Sequence, residues 1–462
     1  MRIKPSLLSS IISSNTDVNM MNSNSTGAGK RFVQLILVGL LVIVSQPLFA
    51  GVNIQHWSTS NGARVYFVAA PELPIVDLQV IFDAGAARDN NNGGAAILTN
   101  ALLAEGAGGL DATQISEQFD ELGASFGADA QRDMAVLKLR SLSEPAVLKK
   151  ALETLKLVLT KPDFPDNAFQ RERKRLLVGL EQRKQSPGAL ADEAFYKAVY
   201  GSHPYSSMPM GYEGSVKSLK VDDLKAFYNR FYVSNNAVVA IVGALDRAEA
   251  ERVAEALVAK LPKGERAAEL PGVTALGEAE NVKIDHPSAQ THILVGQPGM
   301  SRGDPDYFAL YIGNHILGGN GLVSRLSNEI REKRGLSYSS YSYFLPMRKN
   351  GPYTIGLQTR TEQADEALQV LRQTVGQFIE KGPTDEELTA AKTNITGGFP
   401  LRISSNKKIV GYIGMIGFYG LPLDYLDTFN DKINSVSADN IRDAFKRRLD
   451  PDKMVTVLVG KM

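Results

Sequence analysis

No cysteine occurs in the 462-residue chain, which excludes disulfides, Cys-ligated zinc, iron–sulfur clusters and thiol catalysis together. Histidine is scarce: His56, His203, His286, His292 and His315 are the five present. None lies three to five residues from another, so no helical His pair is available to grip a metal. His203, in Gly201-Ser-His-Pro-Tyr205, reads as a turn residue, and His315 as a packed core histidine. An excess of one charge is lacking too. Lys+Arg number 51 and Asp+Glu 50, a balance that points away from nucleic acid as a partner. Neither Gly-x-Gly-x-x-Gly, nor a Gly-Lys-Ser/Thr phosphate loop, nor Gly-x-Ser-x-Gly occurs. The cluster Gly318-Gly-Asn-Gly321 reads as a helix C-cap and turn. What remains is ordinary globular composition, 44% hydrophobic and 22% charged, which excludes a disordered chain and a multi-span membrane protein. The length fits two to four compact units.

Long apolar runs are nearly absent. The exception, Phe32 to Val44, follows Lys30-Arg31 and ends at Ser45-Gln-Pro-Leu-Phe-Ala50. A basic start, an apolar core of about 13 residues and a small residue before Gly51 read as a cleavable secretory signal. A membrane span needs roughly 20 residues, and a retained anchor is the alternative. Met20 or Met21, inside the polar stretch that precedes the run, fits as a start of translation. Residues 1–50 hold four basic residues and one acidic; without them 47 basic residues face 49 acidic, a net charge of −2. The expected product is an exported protein of a bacterial periplasm with no membrane span once the signal is removed.

Periodicity predicts an α+β chain in two similar halves. The first half predicts strands over 75–88, 134–142 and 234–243, and helices near 93–105, 113–122, 145–160 and 166–184. The second predicts strands at 291–296, 338–345, 352–360 and 454–459, with helices at 304–317, 322–333, 363–380 and from 384. Gly123 answers to Gly335, Ala151-Leu152 to Ala367-Leu368 and Pro165 to Pro383, at offsets of 212, 216 and 218. So constant a period argues for two copies of one domain, spanning 52–261 and 290–462. Residues 262–289, with Pro262, Gly264, Pro271 and Gly277, read as the linker. Two unrelated α+β domains are the alternative.

One stretch suggests chemistry: Leu326-Ser-Asn-Glu-Ile-Arg331-Glu-Lys-Arg-Gly-Leu-Ser-Tyr338. Arg331 ends a helix, Gly335 turns the chain and Tyr338 opens a strand, so the turn folds a guanidinium back towards a phenol. Both are donors to a carbonyl oxygen. The alternative is an Arg placed for the helix dipole and a Tyr on an exposed strand face.

This segment, the two-copy layout and the exported context, with Leu122-Gly-Ala-Ser-Phe-Gly-Ala128, Tyr200-Gly-Ser-His-Pro-Tyr205, Phe227-Tyr-Asn-Arg-Phe-Tyr232 and Ser324-Arg-Leu326 in that order, resemble the M16 (pitrilysin-like, inverzincin) zinc peptidases. The likeness is to the bacterial two-domain type and covers nearly all of 52–462. Active members of that family carry His-x-x-Glu-His on the first long helix and a further Glu about 75–80 residues on, which hold zinc and activate its water. Here Ala96, Thr99 and Asn100 stand at the motif positions and Gly179 at the distal Glu, with Glu181 two residues away. The resemblance therefore implies a chain that binds no cofactor itself, with zinc held by a separate His-x-x-Glu-His partner chain. It implies that Arg331 and Tyr338 contact the scissile carbonyl, where one such donor is worth roughly 3–4 kcal/mol in the transition state. It also implies that peptide substrate pairs with the strand at Phe126, Gly127 and Ala128, although Gly127 and Ala130 replace the usual Asn and Thr. The resulting expectation is a non-catalytic subunit of a heteromeric periplasmic peptidase. Its rivals are a structural or peptide-binding scaffold of the same fold and an enzyme using another metal site.

Overall fold

The computed structural model describes residues 51–461; the expected signal lies outside them. The first half contains β1 (Gln55–Ser58), β2 (Arg64–Ala69), β3 (Ile75–Phe82), α1 (Ala95–Leu102), α2 (Ala112–Asp120), β4 (Ser125–Ala130), β5 (Ala135–Leu142), α3 (Pro145–Thr160), α4 (Asp166–Lys184), α5 (Pro187–Tyr200), α6 (Val221–Phe231), β6 (Ala237–Gly243) and α7 (Arg247–Val258). The second contains β7 (Asn281–Asp285), β8 (Gln290–Pro298), α8 (Tyr307–Asn314), β9 (Ser340–Phe344), β10 (Pro352–Arg360), α9 (Ala364–Lys381), α10 (Asp385–Arg402), α11 (Asn406–Tyr419), α12 (Ala438–Arg448) and β11 (Val455–Gly460). Short helical turns fill the connections.

The first sheet runs β1-β2-β6-β3-β5-β4 and the second β9-β10-β8-β11-β7. Read from the β4 and β9 ends, five strands match in order. Each copy also has one parallel pair, β2 with β6 and β7 with β11, among antiparallel neighbours. The duplication read from three landmarks is thus a duplication of topology. The stretch expected as linker is shorter than 262–289, because β7 within it hydrogen-bonds to β11 and belongs to the second sheet. Its alternation, Asn281-Val-Lys-Ile-Asp285, is too short and polar to read as a strand without the neighbour it pairs with.

Every residue of β6 is buried, because both faces of the first sheet are covered. Val239 and Ile241 join Phe67, Val80 and Leu137 under the first-half helices. Val238, Ala240 and Val242 face the other way, into a core continuous with Ile413, Ile416 and Phe418 of α11. The halves therefore exchange helices. α11 of the second half lies on β2, β3 and β6, while α5 of the first lies on β8 and β11. Gly417 permits the first contact: a Cβ there would stand 2.5 Å from the Tyr66 ring. A polar tie reinforces the exchange. The buried Asp133, in the β4–β5 turn, accepts from Tyr205 Oη at 2.7 Å, Tyr419 Oη at 3.0 Å and the Arg348 amide at 2.8 Å. Three donors, two of them from the other half, leave that carboxylate well satisfied.

Candidate functional site

α1 is the helix that carries the zinc motif in active members of the resembled family. Asp89 caps it, its two carboxylate oxygens each accepting at 2.8 Å from the amides of Gly94 and Ala96. Burial pushes the Asp89 carboxyl up to about 7, against the pull of those two bonds. Behind this cap the helix face is closed. Ala96 and Thr99 are fully buried and Asn100 nearly so. The Asn100 amide donates to Tyr232 Oη at 3.2 Å. Thr99 Oγ1 is buried without a hydrogen-bond partner. α4 packs alongside, and the space beside Gly179 belongs to Met210, whose Cε would stand 3.0 Å from a Cβ placed there. Glu181 faces solvent on another side of α4 and pairs with Lys184 at 2.8 Å.

These residues do not fit a zinc ion. A methyl group and a glycine offer no donor, a hydroxyl in an apolar wall is a weak one, and the amide is engaged elsewhere. Among the described residues no three His, Asp or Glu side chains gather where they could hold a metal.

The second half is open where the first is closed. The chain enters through Ser324, whose Oγ caps Arg325–Ser327, and then widens into a π-turn over Asn328–Glu332. Such turns recur at functional sites because they displace one side chain from the regular helical register. Gly335 takes φ +61°, a backbone conformation that costs glycine nothing, and reverses the chain. Its amide donates to the Arg331 carbonyl at 2.9 Å, and that of Leu336 to Ile330 at 2.9 Å. The turn therefore sets Arg331 Cζ 4.7 Å from the centre of the Tyr338 ring, within cation–π range. Tyr338 is 84% exposed, and no protein group hydrogen-bonds to its hydroxyl among the described residues. Arg331 keeps one ionic neighbour, Glu332 at 3.5 Å. The convergence expected from spacing holds, with one correction: Tyr338 lies in the bend before β9, which starts at Ser340.

Phe126, Gly127 and Ala128 lie on β4 at the edge of the first sheet, with β5 on one side and, among the described residues, no strand on the other. The Phe126 ring stacks on Phe119 at 5.1 Å, and nothing stands within 4 Å of where a Gly127 side chain would begin. This edge and the Arg331/Tyr338 turn sit on different sheets and pack against different cores. His203 holds a turn, its Nδ1 accepting from the Tyr205 amide at 3.1 Å. His315 is only half-buried, and burial lowers its pKa.

Sequence reasoning missed α5 and the cleft it closes. Ser186 caps α5 by accepting from the Ala189 amide at 3.3 Å, and Pro187 stands at its first position. That Ser-Pro start was the available signal. With the neighbouring strands, α5 encloses a cleft of about 250 Å³ lined by Asp192, His292, Ser339, Tyr341 and Tyr343.

Residues 64–211 match the family described as insulinase (peptidase family M16), and residues 218–395 the peptidase M16 inactive domain. A solved structure described as a peptidase M16 inactive domain from Pseudomonas fluorescens is 42% identical, with a TM-score of 0.86 over 89% of this chain and 98% of that one. A protein of Helicobacter pylori named as a non-peptidase homolog is 26% identical over 438 residues, 93% of this chain and 98% of its own. An uncharacterized zinc protease of Streptomyces coelicolor is 26% identical over 399 residues, 84% and 86% of the two chains. With its two copies of one α+β domain and no donor set at the zinc positions, the chain belongs to the M16 peptidase family.

Proposed function

We propose that the chain is the non-catalytic subunit of a heteromeric periplasmic M16 zinc metallopeptidase. The zinc site and the base belong to a partner chain with His-x-x-Glu-His; this chain supplies Arg331 and Tyr338 in trans. The observation that carries the reading is the contrast between helix and turn: the zinc positions are filled in, while Tyr338 is 84% exposed with its hydroxyl unengaged and Arg331 4.7 Å from its ring. An unpartnered phenol held beside a guanidinium suits a carbonyl oxygen that gains negative charge, because both donors strengthen as that charge develops.

In this mechanism the peptide carbonyl enters between the partner's metal site and the Arg331/Tyr338 turn. The guanidinium and phenol hydrogen-bond the oxygen, and the positive charge of Arg331 offsets the oxyanion. Neither residue transfers a proton. β4, with a free edge at Phe126, Gly127 and Ala128, is available to pair with extended peptide backbone.

The test is turnover of the assembled complex carrying Tyr338→Phe, which removes one hydroxyl. A rate at least tenfold lower with assembly intact supports the reading; an unchanged rate removes Tyr338 from it.

A further inference from the structure

We propose that the cleft between α5 and the second sheet is a binding site for a cationic side chain, arginine or lysine, of a peptide. One wall is the face of α5 that carries Gly188, Ala191 and Asp192; the other is made by β8, β9 and β10. The volume, about 250 Å³, lies below the roughly 300–1,000 Å³ of sites that enclose whole small molecules, and suits one side chain.

Its chemistry is that of a cation site. Asp192 is half-buried, and no hydrogen bond or ion pair reaches its carboxylate among the described residues. The two cations that act on it from a distance are held by other groups. Arg132 donates to the carbonyls of Tyr205 and Ser207 and lies over the Tyr196 ring, and Arg183 donates to the Ala189 carbonyl at 3.4 Å. Burial accordingly raises the Asp192 pKa, and an entering cation would offset that cost by attraction to the carboxylate. Burial and the nearby His286 lower the pKa of His292, so the imidazole on the opposite wall does not compete as a cation near neutral pH. Tyr341 and Tyr343, two residues apart on one face of β9, stack with ring centres 6.0 Å apart and line the cleft together with the carboxylate, near enough for its charge to act on both phenols. The aromatic wall depends on Gly356, the cross-strand partner of Tyr341, over which that ring lies so closely that no Cβ would fit. A carboxylate without a partner, flanked by tyrosine rings, selects an ammonium or guanidinium over a neutral or acidic side chain.

The cleft opens beside the Arg331/Tyr338 turn, since Ser339 lines it and follows Tyr338 directly. On the proposed function, and resting on it in this clause alone, the site is a specificity pocket for a basic residue near the bond cut. The binding itself does not need the partner, so it is measured on the isolated chain.

The probes are short fluorescent peptides identical except for one central residue: arginine, its uncharged isostere citrulline, or glutamate. Fluorescence anisotropy should give the arginine peptide at least tenfold tighter binding than the citrulline peptide, with glutamate weakest. Asp192→Asn, checked by its melting curve, should bring arginine down to the citrulline level. Tyr341→Leu, which keeps apolar bulk over Gly356, should weaken arginine roughly two- to fivefold. The readout is binding by the isolated chain, so a failure here is separate from a failure of the turnover assigned to the assembled complex. Equal binding of the arginine and citrulline peptides, no binding of either, or an unchanged ratio in Asp192→Asn would overturn the proposal.

Discussion

The helix that carries the zinc motif in active relatives and the Arg331/Tyr338 turn have had opposite fates in one chain. At the first, Ala96 and Thr99 are sealed in the core, the Asn100 amide is engaged by Tyr232, and Met210 stands against Gly179. At the second, a phenol stands in solvent with its hydroxyl unengaged, braced by a guanidinium. A folded chain gains by filling an unused polar cavity with packed apolar groups, because dispersion contacts and burial both favour closure. An exposed aromatic beside a cation gains little stability by itself, so its position on a built turn suits an incoming ligand better than the fold. The difference separates a helix face that offers a metal no donor set from a turn that leaves a guanidinium and a phenol accessible.

The comparison can be broken or sharpened at several points. The largest effect is expected at the open end, where Arg331→Ala in the assembled complex should cut turnover roughly hundredfold, the loss of an oxyanion donor of about 3 kcal/mol. The check is steady-state kinetics alongside size-exclusion chromatography to show intact assembly. At the closed end, Ala96→His should destabilise the chain by roughly 2–3 kcal/mol, because an imidazole has no room there. Chemical denaturation measures it, and a loss well under 1 kcal/mol would mean that a usable cavity persists. Thr99→Val should stabilise by about 1 kcal/mol, since it replaces a buried hydroxyl that has no partner with a methyl of similar shape. By contrast Tyr338→Phe should leave stability within about 0.5 kcal/mol, as expected for an exposed side chain.

A last prediction, at the cap of the closed helix, is one of sign: the stability of the chain should fall as pH rises through the weakly acidic range. Asp89 has its folded pKa raised from 3.8 to about 7, so between those values the folded chain holds a proton that the unfolded chain has lost. Its contribution is therefore fully present below about pH 4 and declines as pH rises towards 7. Melting curves of the natural chain against Asp89→Asn should show the natural chain losing ground across that window.

The sequence made the repeat legible because Gly and Pro positions mark turns that both copies need, and long amphipathic helices such as 145–160 and 166–184 announce themselves by period. The Arg331–Tyr338 convergence was legible too, since Tyr338 follows Arg331 by only seven positions, with one glycine turn between them. What it hid is what depends on distant partners. β7 is a strand only because β11 lies beside it. The exchange of α5 and α11 between halves shows in sequence only as small residues such as Gly417, whose role needs the Tyr66 ring to be seen. Asp192 is about 150 residues from the tyrosines that share its cleft, and no spacing rule joins them. The expected helices at 304–317 and 322–333 break into π-turns at His315–Gly319 and Asn328–Glu332, a register change that residue periodicity does not encode.

The division of labour between two chains stands or falls on what the protein carries with it. Purified through a C-terminal tag from its native host, it should bring down in equal amount a chain with intact His-x-x-Glu-His, and the pair together should hydrolyse peptides that neither cuts alone. A protein that elutes by itself, or with a partner devoid of any metal motif, would contradict the split-enzyme account and leave the Arg331/Tyr338 turn without a reaction to serve.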